Sequence, residues 1–301
     1  MRSYLRLIVA GAVVLATAAM ASPAVASARV DGHAQLAQLT VGPAVSQSPG
    51  QPPTSAQCAA ETSGAVLACY GPPDLQSQYD FGPLYAAGDR GAGQTIVIFD
   101  SFGSPTIRKD LATFDAEYGL PAPPSFEIYE PEGHVTYSYA HVPSPVDFHN
   151  KNVSTEIGWG YETTLDVEWA HAMAPDASIA LVVTPIPETE GVQGLQNLEN
   201  AQRWALEHHL GSIWSDSFAA TEQSFHNAAV IEGLNDLYAQ AASEGVTAFF
   251  ATGDTGVANG DKQGATYPYP TVNFPASSPD VVAVGGTEIP NPPSTIASYQ
   301  P

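Results

Sequence analysis

Apolar runs alternate with amphipathic segments along most of the chain, and this alternation predicts strands separated by helices. The apolar runs predict strands at 94–100, 178–184, 211–217, 246–254 and 280–286. The amphipathic segments predict helices at 104–119, 161–175, 194–210 and 221–245. Helices of this length between consecutive strands indicate a three-layer α/β fold, with a mainly parallel central sheet covered by helices on both faces. In such folds, sites form at the carboxyl ends of the strands.

Capping residues mark the predicted helix ends. Ser104 stands at the start of the first helix and Gly119 follows its end, while Thr221 opens the last helix and Gly245 closes it. Residues 121–154 are rich in Pro, Tyr and His and have no regular period, so we expect irregular or hairpin structure there.

The chain begins with a segment typical of an export signal. Residues 1–26 contain two arginines, an apolar run and small residues at Ala24 and Ala26. Residues 27–75 are rich in Pro, Ser and Ala without an apolar period, which predicts a loosely ordered leader. The globular domain is expected at 76–301. This organisation predicts a secreted, extracellular protein.

The only cysteines of the chain, Cys58 and Cys69, lie in the leader. In an exported chain, two cysteines at this spacing favour a small disulfide loop, with free thiols as the alternative. A redox or metal site would need more ligands nearby.

The chain is strongly acidic, with 31 Asp and Glu residues, 9 Lys and Arg residues and a formal net charge of −22. Phosphate would repel such a surface, so we expect no nucleic-acid partner. Gly91 and Gly93 precede the first strand, whereas a dinucleotide fingerprint requires glycines after it. Beyond the signal, no continuous apolar stretch approaches the roughly 20 residues of a spanning helix, so no membrane association is expected after cleavage.

Glu162 and Asp166 are four residues apart on a predicted helix whose other face is apolar. This spacing puts the two carboxylates about 40° apart around the helix, so both can point into one cleft. A solvated acidic stripe that also includes Glu168 is the plainer interpretation. His171 falls about 140° away from Asp166 and is a poor partner for it, which disfavours a metal-binding helix.

Asp254 follows a predicted strand through a turn at Gly253, at the sheet edge where loops build sites. Tight turns also favour a Gly-Asp pair, so turn geometry alone explains this residue equally well. The local pattern leaves both interpretations open.

Five segments occur in the order found in one peptidase family. They read FGPLYAAGDRGAGQTIVIFDSFGSPTIRKDLATFDAEYGLP (81–121), ETTLDVEWAHAMAP (162–175), SDSFAATEQSF (215–225), ATGDTG (251–256) and NFPASSPDVVAVGGT (273–287). From about residue 79 to 288 the chain resembles the sedolisins, which are serine-carboxyl peptidases with a subtilisin-like fold. The resemblance implies a secreted serine-type endopeptidase that hydrolyses peptides or proteins at acidic pH.

The resemblance also implies the catalytic roles. Glu162 would be the general base, Asp166 would orient that base, and Asp254 would be the acid of the oxyanion hole. A carboxylate has a much lower reference pKa than histidine, so Glu162 would remain a competent base in acid. A protonated Asp254 would donate a hydrogen bond to the developing oxyanion.

The resemblance places the substrate cleft along Ser215, Asp216 and Ser217. Main-chain groups there would pair with an extended peptide, as an added strand pairs with a sheet edge.

Three family features are not found in these 301 residues. The sedolisin nucleophile stands in a later G-T-S-x-x-x-P block, whereas GGTEIP at 285–290 continues the earlier NFPASSP segment. The family's calcium loop is not found either, so no metal ligand is predicted in this chain. The leader is also shorter than the large folding prosegment of the family. We therefore expect a partial peptidase domain, with the nucleophile and the calcium site beyond residue 301.

Three hypotheses follow. The chain is the N-terminal part of a secreted acid endopeptidase, which the resemblance favours, or it is a noncatalytic relative that binds peptides. The third hypothesis is a metal-dependent hydrolase with Glu162 and Asp166 as ligands, which requires a histidine close to that pair.

Overall fold

The computed structural model describes residues 70–137, 151–188, 194–225, 227–261 and 265–287. The predicted signal, most of the predicted leader and the candidate Cys58 to Cys69 bridge lie outside the described residues. Within this part of the chain, no helix combines the length and the apolar character that crossing a membrane requires.

The described elements follow one another as a strand and helix alternation. In chain order they are α1 (Pro72–Gln78), α2 (Gly82–Ala87), β1 (Thr95–Ser101), α3 (Ile107–Tyr118), β2 (Phe126–Tyr129), α4 (Lys151–Met173), β3 (Ser178–Thr184), α5 (Leu195–Glu207), β4 (Ile213–Asp216), β5 (Ala220–Thr221), α6 (Ala228–Ser243), β6 (Thr247–Ala251), β7 (Asn273–Phe274) and β8 (Val282–Val284). A short 3-10 helix, Glu222–Ser224, lies between β5 and α6.

A six-stranded sheet forms the centre of the fold, in the order β2-β3-β1-β4-β6-β8. Every neighbouring pair in it runs parallel, and Ile98 of β1 lies between Leu181 of β3 and Ser215 of β4. β5 and β7 form a separate antiparallel pair. The predicted α/β class with a mainly parallel sheet is confirmed.

One apolar core lies on each face of this sheet. On one face, Phe99 and Trp214 pack beneath α5 and α6, with 5.2 Å between their ring centroids. On the other face, Ile98 packs with Leu111 of α3 and Val167 of α4. Successive side chains of a strand point to opposite faces, so each buried strand contributes side chains to both cores. This arrangement confirms the three layers.

The segment 121–154, predicted to be irregular, contains a strand and the beginning of a helix. β2 runs through 126–129 at the sheet edge, within the segment expected to be irregular or hairpin. A four-residue edge strand with partly exposed side chains carries too little alternation to stand out in the sequence. In the same segment, α4 already begins at Lys151, before the predicted start near 161.

The predicted caps are correct at some helix ends and wrong at others. Gly119 ends α3 with a φ of 68°, as predicted. The last helix, α6, begins at Ala228, because Asn227 accepts a hydrogen bond from the Ala229 amide at 2.9 Å. Thr221 does not cap this helix, since it pairs with Asn273 in the β5–β7 ladder.

Candidate active site

The carboxyl ends of β1, β4 and β6 lie side by side, because these strands are neighbours in the parallel sheet. Asp100 stands near the end of β1, Ser217 follows β4, and Asp254 follows β6. α4 packs on β1 from the face that also carries α3. The topology therefore collects polar side chains from three strand ends and one helix.

Glu162 and Asp166 lie along the border of the buried stripe of α4. Thr163 and Val167 within the stripe are fully buried, and both acids beside them are half-buried. Glu168 is only 2 % exposed. These burials exclude the solvated acidic stripe as an explanation of the spacing.

Ser217 connects this helix to the end of β4. Its hydroxyl donates a hydrogen bond to Oδ1 of Asp166 at 3.0 Å. Hydrogen bonding by Ser217 also stabilises the ionised form of Glu162 and so opposes the rise of its pKa. The three side chains form one polar group that spans α4 and β4.

Asp100 is a buried acid of this group that the sequence reasoning missed. It is fully buried, and Thr163, Asp166 and Glu162 lie close enough to affect its pKa. Burial raises the pKa of Asp100 well above its usual range, and the charge of Glu162 raises it further. A signal was available in the sequence, because Asp100 is the one charged residue in the strand TIVIFDS.

The pKa values of Glu162 and Asp166 are raised strongly above those of exposed carboxyl groups. Burial, the charge of Asp166 and the charge of Asp254 raise the pKa of Glu162 to about 8. The pKa of Asp166 is also raised well above its usual range, first by burial and then by the charge of Asp100. Coupled carboxyls of this kind lose their protons one after another. The sequence predicts an ordinary low pKa for Glu162, whereas in the structure this pKa is raised.

Asp254 approaches the same group from an exposed loop. Its charge is close enough to Glu162 to raise the pKa of that carboxyl. The chain turns before Asp254 as predicted: Gly253 has a φ of 91°, in a region of backbone conformation that favours glycine. The turn thus delivers Asp254 to the α4 acids, so turn geometry alone is an incomplete explanation.

Ser215 and Asp216, which are predicted to contact substrate, lie within β4 of the sheet. β4 is paired with β1 on one side and with β6 on the other, so the main chain of both residues is used within the sheet. The Asp216 side chain is 2 % exposed and accepts a hydrogen bond from Nε2 of Gln202 at 2.8 Å. Only Ser217 and the chain after it leave the sheet, and contact with substrate there stays a prediction.

His171 points away from the acidic pair. Its Nε2 lies 2.7 Å from the carbonyl oxygen of Pro121 and 3.3 Å from Oδ1 of Asp115 on α3. The histidine that the metal-hydrolase hypothesis requires is therefore not supplied by His171.

Comparison with known proteins identifies relatives of part of the chain. Kumamolisin of Bacillus sp. (strain MN-32) is 29% identical over 230 residues, which cover 76% of this chain and 36% of kumamolisin. Tripeptidyl-peptidase 1 of Homo sapiens is 36% identical over 138 residues, which cover 44% of this chain and 23% of that protein. No family model matches the chain. The chain thus spans about a third of the length of kumamolisin.

These two sequence relationships agree with the five ordered segments. Both matches support the assignment of this chain to the sedolisin family. Among solved structures, Pseudomonas sedolisin (serine-carboxyl proteinase) complexed with two molecules of pseudo-iodotyrostatin is 20% identical, with a TM-score of 0.49. That match covers 73% of this chain and 54% of the sedolisin chain. The partial coverage of kumamolisin fits part of a sedolisin catalytic domain.

Sedolisins generally bind calcium. Across the described ranges, no group of three or more His, Cys, Asp or Glu side chains is arranged to hold a metal ion. These residues therefore do not fit a calcium site, and a sedolisin calcium site beyond residue 301 remains a prediction.

Proposed function

We propose that the protein containing this chain is a secreted serine-type endopeptidase whose active site includes Glu162, Asp166 and Asp254. The observation that supports this most directly is their convergence at one sheet edge. Ser217 holds Asp166 at 3.0 Å, and Asp254 is within electrostatic reach of Glu162. The nucleophilic serine would be supplied by sequence outside these 301 residues.

In the proposed reaction, the Glu162 carboxylate takes the proton of the serine hydroxyl as the serine oxygen attacks the scissile carbonyl carbon. Protonated Asp254 donates a hydrogen bond to the carbonyl oxygen, where negative charge develops. The C–N bond then breaks, and the amine leaves with the proton held by Glu162. A water molecule then gives a proton to Glu162 as its oxygen attacks the acyl carbon. The bond from this carbon to the serine oxygen breaks, and the proton passes from Glu162 to the serine oxygen, which releases the new carboxyl terminus and restores both groups.

The raised pKa of Glu162 places a condition on this mechanism. The base must be ionised, whereas burial and its neighbours keep Glu162 mostly protonated below about pH 8 when the other acids are charged. The first proton to leave a carboxyl cluster meets no repulsion from a charged neighbour. The proposed mechanism requires Glu162 to carry that first charge; Glu162 is less buried than Asp100, and Ser217 stabilises its ionised form. Acid operation also suits an oxyanion donor that must keep its proton.

A noncatalytic peptide-binding protein is the second candidate. Such a protein would bind a peptide near Ser217 and release it unchanged.

The test begins with the protein that the native host secretes. Its intact mass and C-terminal sequence show whether a nucleophile block follows residue 301, and a peptide assay at pH 4 shows whether it hydrolyses. Glu162→Gln is expected to lower kcat by about 100-fold or more, because the general base is lost. Glu207→Gln, an exposed position on α5, is the matched control. Full activity in Glu162→Gln would contradict the proposed role, and peptide binding without turnover would favour the second candidate.

A further inference from the structure

The loop that carries Asp254 has no apolar anchor of its own. Residues 254–258 are all exposed, and Val257 is 60 % exposed. Loops held only by exposed contacts move more than the elements that they join. In its proposed role, Asp254 must donate a hydrogen bond to a developing negative charge at about 3 Å, and this requires a loop with a fixed position.

A buried amide ties the loop to the chain that returns to the sheet. Asn259 is 4 % exposed, and its Nδ2 donates a hydrogen bond to Oγ1 of Thr271 at 3.0 Å. Its Oδ1 accepts a hydrogen bond from the hydroxyl of Thr255, the residue after Asp254, at 2.8 Å. One side chain therefore links the loop to the β7 side of the molecule.

A second buried amide holds both ends of the loop. Asn273 on β7 is 8 % exposed, and its Nδ2 donates to the carbonyl oxygen of Thr252 at 3.0 Å and to Oδ1 of Asn259 at 3.1 Å. These two acceptors flank Asp254 in the chain. The hydrogens of one amide thus fix the backbone before Asp254 and the side chain that anchors the loop after it.

The backbone between these contacts passes directly against the amide. A Cβ atom at Gly253 would collide with Nδ2 of Asn273, and the φ of 91° at Gly253 disfavours any other residue. Gly253 therefore permits the close approach that places Asn273 beside the residue preceding Asp254.

We propose that Asn273 is a positioning residue that acts through Asp254, by clamping the Thr252 carbonyl and the Asn259 side chain on either side of it. This inference rests on the proposed role of Asp254 as oxyanion donor. Asn273 needs no contact with the substrate, and its effect is on the transition state, where the donor must be correctly placed.

The first experiment measures the clamp without reference to activity. In the full protein, amide hydrogen exchange is followed at Ala258, Tyr267 and Thr271, whose amides bond within and beside the loop. Asn273→Leu is expected to lower protection at these amides by about tenfold or more, because exchange follows local opening. Gln76→Leu is the control, since it removes a similar amide-to-carbonyl bond, to Ala172, between α1 and α4. Unchanged protection in Asn273→Leu would overturn the proposal.

The second experiment is a double-mutant cycle on peptide hydrolysis. Asn273→Leu alone is expected to lower kcat by about tenfold with little change in KM, because only transition-state stabilisation is lost. In an Asp254→Ala background, Asn273→Leu is expected to have no further effect on kcat, because the residue it positions is gone. An equal loss of kcat in both backgrounds would overturn the proposal.

Two further variants keep the test informative if Asn273→Leu does not fold. Asn273→Asp keeps the shape, and only its protonated form can donate a hydrogen bond, so loop protection is expected to fall as the pH is raised. Gly253→Ala opens the same clamp from the loop side and should lower the same protections; unchanged protection in both variants would overturn the proposal. The exchange result stands even if Asp254→Ala leaves kcat unchanged, which would contradict the proposed function and remove the catalytic role of the clamp.

Discussion

The two acidic regions of the site are held in place by different forces. Glu162 and Asp166 stand on a 23-residue helix that packs on β1, and Asp100 lies near the end of that central strand. Asp254 stands in an exposed loop that buried amides hold by hydrogen bonds. The core that folds the domain therefore also orients the proposed base, whereas the loop depends on a few polar contacts. Changes in the first region should alter both stability and chemistry, and changes in the second region mainly chemistry.

The largest expected effect is the change that the buried acids cause in the stability of the folded protein as the pH changes. An acid whose folded pKa is raised holds its proton more tightly in the folded state than in the unfolded state. Its contribution to stability is complete below the unfolded pKa of about 4 and is lost as the pH rises through the folded pKa. The pKa of Glu168 is raised to about 9 by burial and by Asp110 and Asp115. Urea unfolding should therefore show the free energy of unfolding falling by several kcal/mol between about pH 4 and 9.

Single substitutions identify the source of this pH dependence. Glu168→Gln removes a titrating group that lies outside the site, so it should reduce the slope of unfolding free energy against pH. Glu207→Gln, at an exposed position, should leave the slope unchanged. A free energy of unfolding that is constant between pH 4 and 9 would show that these acids are not buried as described.

The next effect is the coupling within the helix-borne pair. Asp166→Asn removes the neighbouring charge that contributes most to the raised pKa of Glu162, so this pKa should move from about 8 toward its ordinary value. Carbon-13 NMR of the glutamate carboxyl groups measures the shift. A Glu162 pKa that stays near 8 in this variant would indicate that burial alone raises it.

Asp254→Asn should lower the pKa of Glu162 by a smaller amount, because its charge ranks below that of Asp166 among the causes. The same variant should change the free energy of unfolding by no more than about 0.5 kcal/mol, since the residue is exposed. NMR titration and urea unfolding of one sample check both expectations. A large loss of stability would contradict the division between a core-held and a loop-held region.

The smallest effect is expected from Ser217→Ala. Loss of its hydrogen bond should raise the pKa of Glu162 slightly, because that bond favours the ionised carboxylate. The NMR titration used for Asp166→Asn measures this change, with Ser243→Ala on α6 as an exposed control. A lowered pKa would mean that Ser217 favours the protonated form instead.

Local patterns predicted most of the buried sheet. The apolar run at 178–184 coincides with β3, and the run at 94–100 lies within one residue of β1. Fully buried parallel strands are continuous apolar runs, so their limits are visible in one sequence. The apolar pattern does not predict β2, because this edge strand is short and partly exposed. The predicted start of α6 at Thr221 lies too far toward the N-terminus, because Thr221 pairs with the distant Asn273 in a β-ladder.

The candidate site was predictable only where the spacing was local. Glu162 and Asp166 are one helical turn apart, so their shared direction followed from helix geometry. Asp100 lies near Glu162 and Asp166 because β1, which carries it, packs against α4. Asn273 contacts Asn259 because the loop between them folds back. Neither contact follows from a short window of sequence. The raised pKa of Glu162 was likewise unforeseen, because it arises from burial and from charges on another element.

The close fit between Gly253 and Asn273 links two positions that are twenty residues apart. A larger residue at 253 has no room unless the side chain at 273 is shortened or redirected, and the left-handed turn must change as well. In an alignment of relatives, these two positions are therefore expected to covary, so that departures from glycine at 253 accompany departures from asparagine at 273.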